Sequence, residues 1–355
     1  MPAQRHAVVR LLFGPTVTTA LVRVNLLLYA VSWLVSSATE ESAGSSEDPL
    51  APTAAVLLRA GALDAGRILK DGELWRLVAC LFLHVNLLHL IFNLWVLRDL
   101  GAAVEGAIGR ARFALLYLGS GLCASALSTW QLARSGAFSI GASGAIFGLF
   151  GALLVIGLAR GGTFGRALFF RILFLVGAMF LIGSLMPTRI DHAAHAGGLI
   201  GGVLLGWLLL PGRIRGLGDR LLHGLAALAL GASALTLVWT MHEMLSPRRA
   251  AQHRLEQALP EWQKLADDLR RALPGYARVD RNAMAREAGA LRRRFDPLRA
   301  ALRNAPWFGE IDAAARRLED ALRHHDGPRA LRDGEELLRA MDRAPWGIDR
   351  KPPRD

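Results

Sequence analysis

Only two cysteines occur in the 355-residue chain, Cys80 and Cys123, and both fall inside apolar runs. Two thiols so placed cannot build a disulfide framework, so a cystine-stapled secreted domain is excluded and both are expected to be small buried packing residues. No His-Glu-x-x-His pattern is present, which removes the usual zinc-peptidase helix and leaves His192-x-x-His195 as a weak metal pair. Internal repeats are lacking, which disfavours a transporter with polar residues along a pathway. Groove-reading or aromatic-interleaved basic motifs are lacking too, so the formal net charge of +12 is not read as nucleic-acid binding. The first apolar run is long, begins late and has no small-x-small cleavage site after it, so it reads as a helix and not a cleaved signal.

What the chain does have is apolar sequence, unevenly spread. The 52% hydrophobic content hides two halves: apolar runs from about residue 11 to 245, then a region rich in Arg, Ala, Asp and Glu from 246 to 355. A spanning helix needs about 20 apolar residues. Seven stretches meet or approach that length: Thr18–Ser37, Leu77–Leu97, Phe113–Trp130, Ser143–Ala159, Ala167–Met186, His192–Leu210 and Leu221–Leu245. The expected fold class is all-α, a polytopic helical membrane protein. Its expected divisions are an N-terminal cytoplasmic segment 1–17, a six-helix membrane domain 18–210, a seventh transmembrane helix 221–245 and a soluble helical region 246–355.

Orientation follows from arginine in the short loops. Arg5, Arg10, Arg98, Arg110, Arg112, Arg160, Arg166, Arg213 and Arg215 mark one side, whereas the other side has Arg134, Arg189 and a long, net acidic loop from Ala38 to Arg76. The N-terminus is therefore expected inside and the start of the Ser143 span outside. With seven spans the C-terminal region is expected outside as well.

Polar residues inside these runs are costly unless used or well satisfied. Gly141-Ala142-Ser143-Gly144 opens the fourth run. Serine becomes a nucleophile only beside a base, and flanking glycines let the backbone turn and come close to a carbonyl. The same tetrapeptide also reads as a plain helix cap. His89 and Asn93 stand one helical turn apart, so both can donate to one point, as an oxyanion requires, or clamp two helices together. His195 is the candidate base. Gly198, Gly202 and Gly206 follow it at four-residue intervals, matching Gly144 and Gly148, and two such smooth faces would bring Ser143 and His195 together. Asp191 is read as the cap of the sixth span and not as a required third member. His84 is read as loop support.

The tail has helical periodicity, with Leu255, Leu259, Trp262, Leu265 and Leu269 on one face and Ile311, Ala315, Leu318 and Leu322 on another. Pro274-Gly275, Pro306 and Gly327-Pro328 break it into about four helices. A bundle that binds a protein partner and a solvated spacer are both open.

Taken in order, these pieces resemble the rhomboid intramembrane serine proteases. The resemblance covers about residues 11 to 210 and includes Glu73-Leu74-Trp75-Arg76, the stretch His84 to Asn93, Leu100-Gly101, Glu105, Gly141 to Gly148 and Asp191 to Gly198. It implies a six-helix core with a recessed, water-accessible site. It implies Ser143 as nucleophile, His195 as general base, and the Ser143 N–H with His89 and Asn93 as oxyanion donors. Gly141 and Gly144 would shape the turn, Phe147 would pack on the histidine and Gly198 would allow close helix approach. The implied partners are transmembrane protein substrates and the lipid bilayer, with no cofactor, no metal and no nucleic acid. The compact loops and the lack of an organelle-targeting pattern favour a bacterial inner membrane, and the loop arginines put the site on the outer side. A relative that binds membrane clients without cutting them would be expected to lose the serine or the histidine, and both are present.

Overall fold

The structure, a computed structural model, describes residues 16–38, 48–134, 137–185, 190–214, 216–246, 260, 262–272, 281–302 and 308–343. The chain divides into two compact units, Met1–Leu245 and Ser246–Asp355.

The first unit is built from long apolar helices: α1 (Val17–Ala38), α5 (Leu87–Ile108), α6 (Arg110–Leu132), α7 (Ser143–Arg160), α8 (Gly162–Leu185), α9 (His192–Leu208) and α10 (Leu217–Leu245). All but α9 are long and apolar enough to cross a membrane, and α9 has 17 residues, at about the lower limit for a span. Between α1 and α5 lie the short helices α2 (Ala54–Arg59), α3 (Ala65–Asp71) and α4 (Arg76–Ala79). A two-stranded antiparallel ladder pairs β1 (Leu63–Asp64) with β2 (Phe138–Ser139), in the register Leu63 to Ser139.

The second expected span, Leu77–Leu97, is corrected here. Its apolar start forms α4 and a tight turn at Cys80–Phe82, and the long helix begins only at Leu87. Asn86 causes the break: its backbone is extended and its side chain accepts the His89 N–H at 2.8 Å, as an N-cap does. The expectation for Cys123 is also corrected: Cys80 is buried but Cys123 is exposed. Residues Leu255 and Leu259, Pro274-Gly275, Pro306 and Met186 lie outside the described residues.

In lipid the apolar surfaces gain little by meeting one another, so helix pairing rests on close packing and polar contacts. Glycine supplies the first. The α7–α9 contact is the most extensive in the first unit. A Cβ on Gly198 would strike the Gly144 carbonyl, one on Gly202 the Gly148 carbonyl, and one on Gly206 would lie 2.9 Å from Ala152 Cα. A second row, Gly197 and Gly201, faces Cys123 on α6, so α9 is slotted between two helices at backbone contact.

Polar clamps supply the rest. The buried Glu105 carboxylate on α5 accepts the Val17 and Thr18 N–H groups at 3.0 and 2.9 Å, and the Thr18 hydroxyl at 2.7 Å. It caps α1 from another helix and places negative charge at that helix's N-terminus. Arg112 on α6 donates to the Asp219 carboxylate at the start of α10, and Ser32 Oγ on α1 lies 3.3 Å from Met244 Sδ near its end. The loop before α5 hangs on Arg76, whose guanidinium is buried and donates to the Leu58 and Ala62 carbonyls at 2.7 and 2.9 Å and to Glu73.

The second unit comprises helical residues 262–272, α11 (Arg281–Leu302), α12 (Phe308–Arg323) and α13 (Gly327–Arg343). Trp262, Leu265, Leu269, Phe295, Ile311 and Leu318 share one apolar core. In water each such side chain contributes about 1.5–3 kcal/mol on full burial. Asp326 opens α13 by accepting the Arg329 N–H at 3.0 Å. Arg299 joins α11 to α12 by donating to Asp312 at 2.5 Å.

Two outcomes are expected. Gly202→Ala should cost about 1–3 kcal/mol because backbone, not a flexible side chain, meets the new methyl. Gly224→Ala on α10, where nothing lies within 4 Å, should be neutral or stabilise by up to about 1 kcal/mol. Thermal unfolding in detergent micelles separates the two. In the second unit, burial raises the Asp312 carboxyl, but hydrogen bonds and charge from Arg299 and Arg316 outweigh it and hold the group below its usual range. Its stabilisation is therefore full above an unfolded value of about 3.9 and is lost as pH falls through the lower folded value. Hydrogen-exchange protection factors of α11 and α12 amides, taken against the intrinsic rate at each pH, should fall on acidification below about pH 4 in the wild type and less so in Asp312→Asn.

Candidate active site

Three helices begin at one place. His89 is the third residue of α5, Ser143 the first of α7 and His195 the fourth of α9. The first turn of a helix carries unpaired N–H groups and a partial positive charge. Asn86 satisfies part of this for α5, and the Asp191 carboxylate does so for α9, accepting the Ala194 N–H at 2.9 Å. The α7 terminus differs: Ala142 occupies its cap position and no side chain caps it. The first N–H groups of α7 therefore have no side-chain acceptor.

Ser143 Oγ and His195 Nε2 are 3.0 Å apart, at hydrogen-bond distance. The Phe147 ring, one turn into α7, stacks on the imidazole with centroids 4.1 Å apart and 14° between planes. Gly141 holds φ +132°, which strongly favours glycine. A Cβ there would also lie 2.8 Å from His89 Cε1, 3.1 Å from His89 Nε2 and 3.8 Å from Ser143 Oγ, so the His89 ring edge and the serine hydroxyl flank one bare backbone position. The Gly141 N–H donates to the Cys80 carbonyl at 2.9 Å, and the β1–β2 ladder holds the residues before it. Gly144 packs against Ala124 and the Ala194 carbonyl, and Gly198 against Gly144.

Asn93 is buried one turn below His89, and its amide donates to the His89 carbonyl at 2.8 Å. Among the described residues no hydrogen bond joins it to Ser143. Its amide nitrogen carries a second N–H. His84 is buried behind the site with its ring edge-on to His89 at 5.1 Å. Asp191 is occupied by the Ala194 N–H and the Ser128 hydroxyl, and among the described residues it makes no hydrogen bond to the His195 ring.

Several residues of the site escaped the sequence. Ser128 fixes Asp191 from α6, and Ser125 holds the Cys80 turn by donating to the Leu77 carbonyl at 2.8 Å. Both sit in a run of small residues that reads as featureless packing. Phe180 on α8 reaches the imidazole pair from a helix that looks uniformly apolar.

If Asp191 caps α9 and does not orient the imidazole, Asp191→Asn should keep the cap and Asp191→Ala should lose about 1 kcal/mol of stability. Both should keep the reactivity of Ser143 toward a small serine-directed probe within about threefold once folded protein is compared, a margin far below the about 10⁴-fold seen when an orienting carboxylate is lost. Thermal shift and labelling rate measured together check this.

The family model described as the Rhomboid domain matches residues 71–212, which contain every residue of this site. RHOMBOID-like protein 7 of Arabidopsis thaliana is 39% identical over 163 residues, covering 45% of this chain and 51% of the relative. Rhomboid protease GluP of Bacillus subtilis (strain 168) is 36% identical over 168 residues, covering 47% of this chain and 32% of the relative. YdcA of the same bacterium is 37% identical over 145 residues, covering 41% of this chain and 72% of the relative. The chain spans about half the length of the plant relatives it matches. With the domain match, the similarity over most of YdcA and a polytopic helical membrane fold, the chain belongs to the rhomboid family.

Proposed function

We propose that the chain is an intramembrane serine endopeptidase that hydrolyses peptide bonds in or beside transmembrane helices of other proteins. The observation that carries this reading is the 3.0 Å contact of Ser143 Oγ with His195 Nε2 at the uncapped start of α7. With the neutral imidazole accepting at Nε2, the serine proton passes to that nitrogen as Oγ attacks the scissile carbonyl carbon. The carbonyl π bond opens and its oxygen takes the negative charge. The Ser143 N–H and the side chains of His89 and Asn93 are the proposed donors to that oxyanion, aided by the α7 dipole. The imidazolium returns its proton to the leaving nitrogen as the C–N bond breaks, leaving an ester on Ser143. Water, deprotonated by His195, then hydrolyses the ester and restores both groups. The face of the Phe147 ring against the imidazole favours the transient positive charge.

The proposed divisions are the cytoplasmic segment 1–17, the six-helix domain 18–210, the seventh helix 221–245 and the helical region 246–355. The proposed orientation has the N-terminus in the cytoplasm and the site opening to the outer side, on the arginine content of the loops. A bacterial cell membrane is proposed on the compactness of those loops, and the relatives above, from a plant and a bacterium, do not choose. Region 246–355 is proposed as a partner-binding unit on the strength of its own apolar core, which a mere spacer does not need.

The test is cleavage of a single-span substrate in proteoliposomes. Ser143→Ala and His195→Ala should each lose more than about 10⁴-fold in rate while remaining folded. His89→Ala and Asn93→Ala should each lose about 10²–10³-fold, chiefly in kcat. Cleavage by Ser143→Ala at the wild-type rate would sink the reading.

A further inference from the structure

We propose that Phe180 on α8 is a positioning residue for the His195 imidazole. The proposal rests on the serine-protease reading of the Ser143–His195 pair. Phe180 meets His195 edge-to-face at 6.2 Å and 84°, meets Phe147 at 5.4 Å and 71°, and lies nearly parallel to His192 at 5.8 Å and 23°. It therefore touches both the base and the ring stacked on the base. Phe147 covers one face of the imidazole and resists tilting. Phe180, nearly at right angles to His195 and in contact with Phe147 as well, buttresses the stacked pair and holds the imidazole in place within it.

The need for such a wall follows from the rest of the site. Where a carboxylate orients a catalytic histidine, a hydrogen bond fixes its ring. Here the Asp191 carboxylate is taken by a backbone N–H and a serine hydroxyl. Aromatic contacts, beside the Ser143 hydrogen bond at Nε2, are then what holds the ring. Phe180 is also, among the described residues, a point at which α8 bears on the dyad. That helix packs chiefly against α7, with Gly157 and Gly165 at closest approach, and most of its other large side chains, Phe170, Phe174 and Leu181 among them, are exposed. A shift of α8 relative to α7 therefore reaches His195 through Phe180.

The test separates positioning of the base from contact with a substrate. The full chain is labelled in detergent micelles with a small fluorophosphonate, which needs Ser143 and His195 but no spanning substrate. In parallel, kcat and KM are measured in proteoliposomes on a single-span substrate. Edge-to-face contacts correspond to about two- to tenfold in rate. Phe180→Leu, close in size but without a ring, should label about five- to tenfold more slowly and lose kcat by the same factor, with KM within about twofold. Phe180→Tyr should return both to within about twofold of wild type. If Phe180→Leu does not fold, Phe180→Met makes the same comparison. Wild-type labelling of Phe180→Leu or Phe180→Met, or a loss confined to KM, would overturn the proposal and leave the protease reading intact. A wild-type chain that labels no faster than Ser143→Ala would overturn the protease reading and, with it, the role given to Phe180.

Discussion

Backbone contact between α7 and α9 is the constraint on which the rest depends. A serine and a histidine 52 residues apart come within 3.0 Å because nothing larger than hydrogen stands between the two helices at Gly144, Gly148, Gly198 and Gly202. Glycine in a helix costs about 0.5–1 kcal/mol relative to alanine, and the chain accepts that cost repeatedly along one seam. In return the seam fixes depth and rotation together. Sliding either helix by a residue would drive a methyl or larger group into a carbonyl of the other. The site thus inherits its geometry from main chain, which has fewer conformations than side chains do.

Convergence of three helix starts adds the electrostatics. Two of those starts are neutralised by their own caps, Asn86 and Asp191, and one is left open at Ser143. Unpaired donors are expensive in an apolar setting, so an open terminus is maintained only where water or a ligand completes it. Of the three helix starts that meet here, the one at Ser143 is the one without a side-chain cap. The clamps at Glu105, Arg76 and Arg112 lie away from this point and hold the surrounding helices in register around it.

Much of this could be read from residues alone, for a physical reason. Long apolar runs and glycines at four-residue spacing are one-dimensional signals of spans and of close faces, and Asp191 before an apolar run reads as a cap. The second span was misplaced because Leu77 to Leu83 is apolar for a different purpose. It packs beneath a loop, and only the Asn86 cap shows where the helix starts. The Gly197–Gly201 row, the Ser128–Asp191 contact and the Phe180 ring were not legible. Each depends on which helix stands beside which, and a uniformly apolar or small-residue run does not encode its neighbour.

The length of α9 has a consequence for the surrounding lipid. Seventeen residues rise about 26 Å, short of the about 30 Å hydrocarbon core of an ordinary bilayer. Tilting would shorten that span further, and α9 is locked to α7 along its glycine seam. The bilayer must instead thin beside this pair, compressing acyl chains on the flank that α9 presents. A neighbouring protein's helix that drifts into the thinned zone is itself too long for it, and its end is pushed toward water. The same short helix that carries His195 thus sets a thin point in the bilayer beside it.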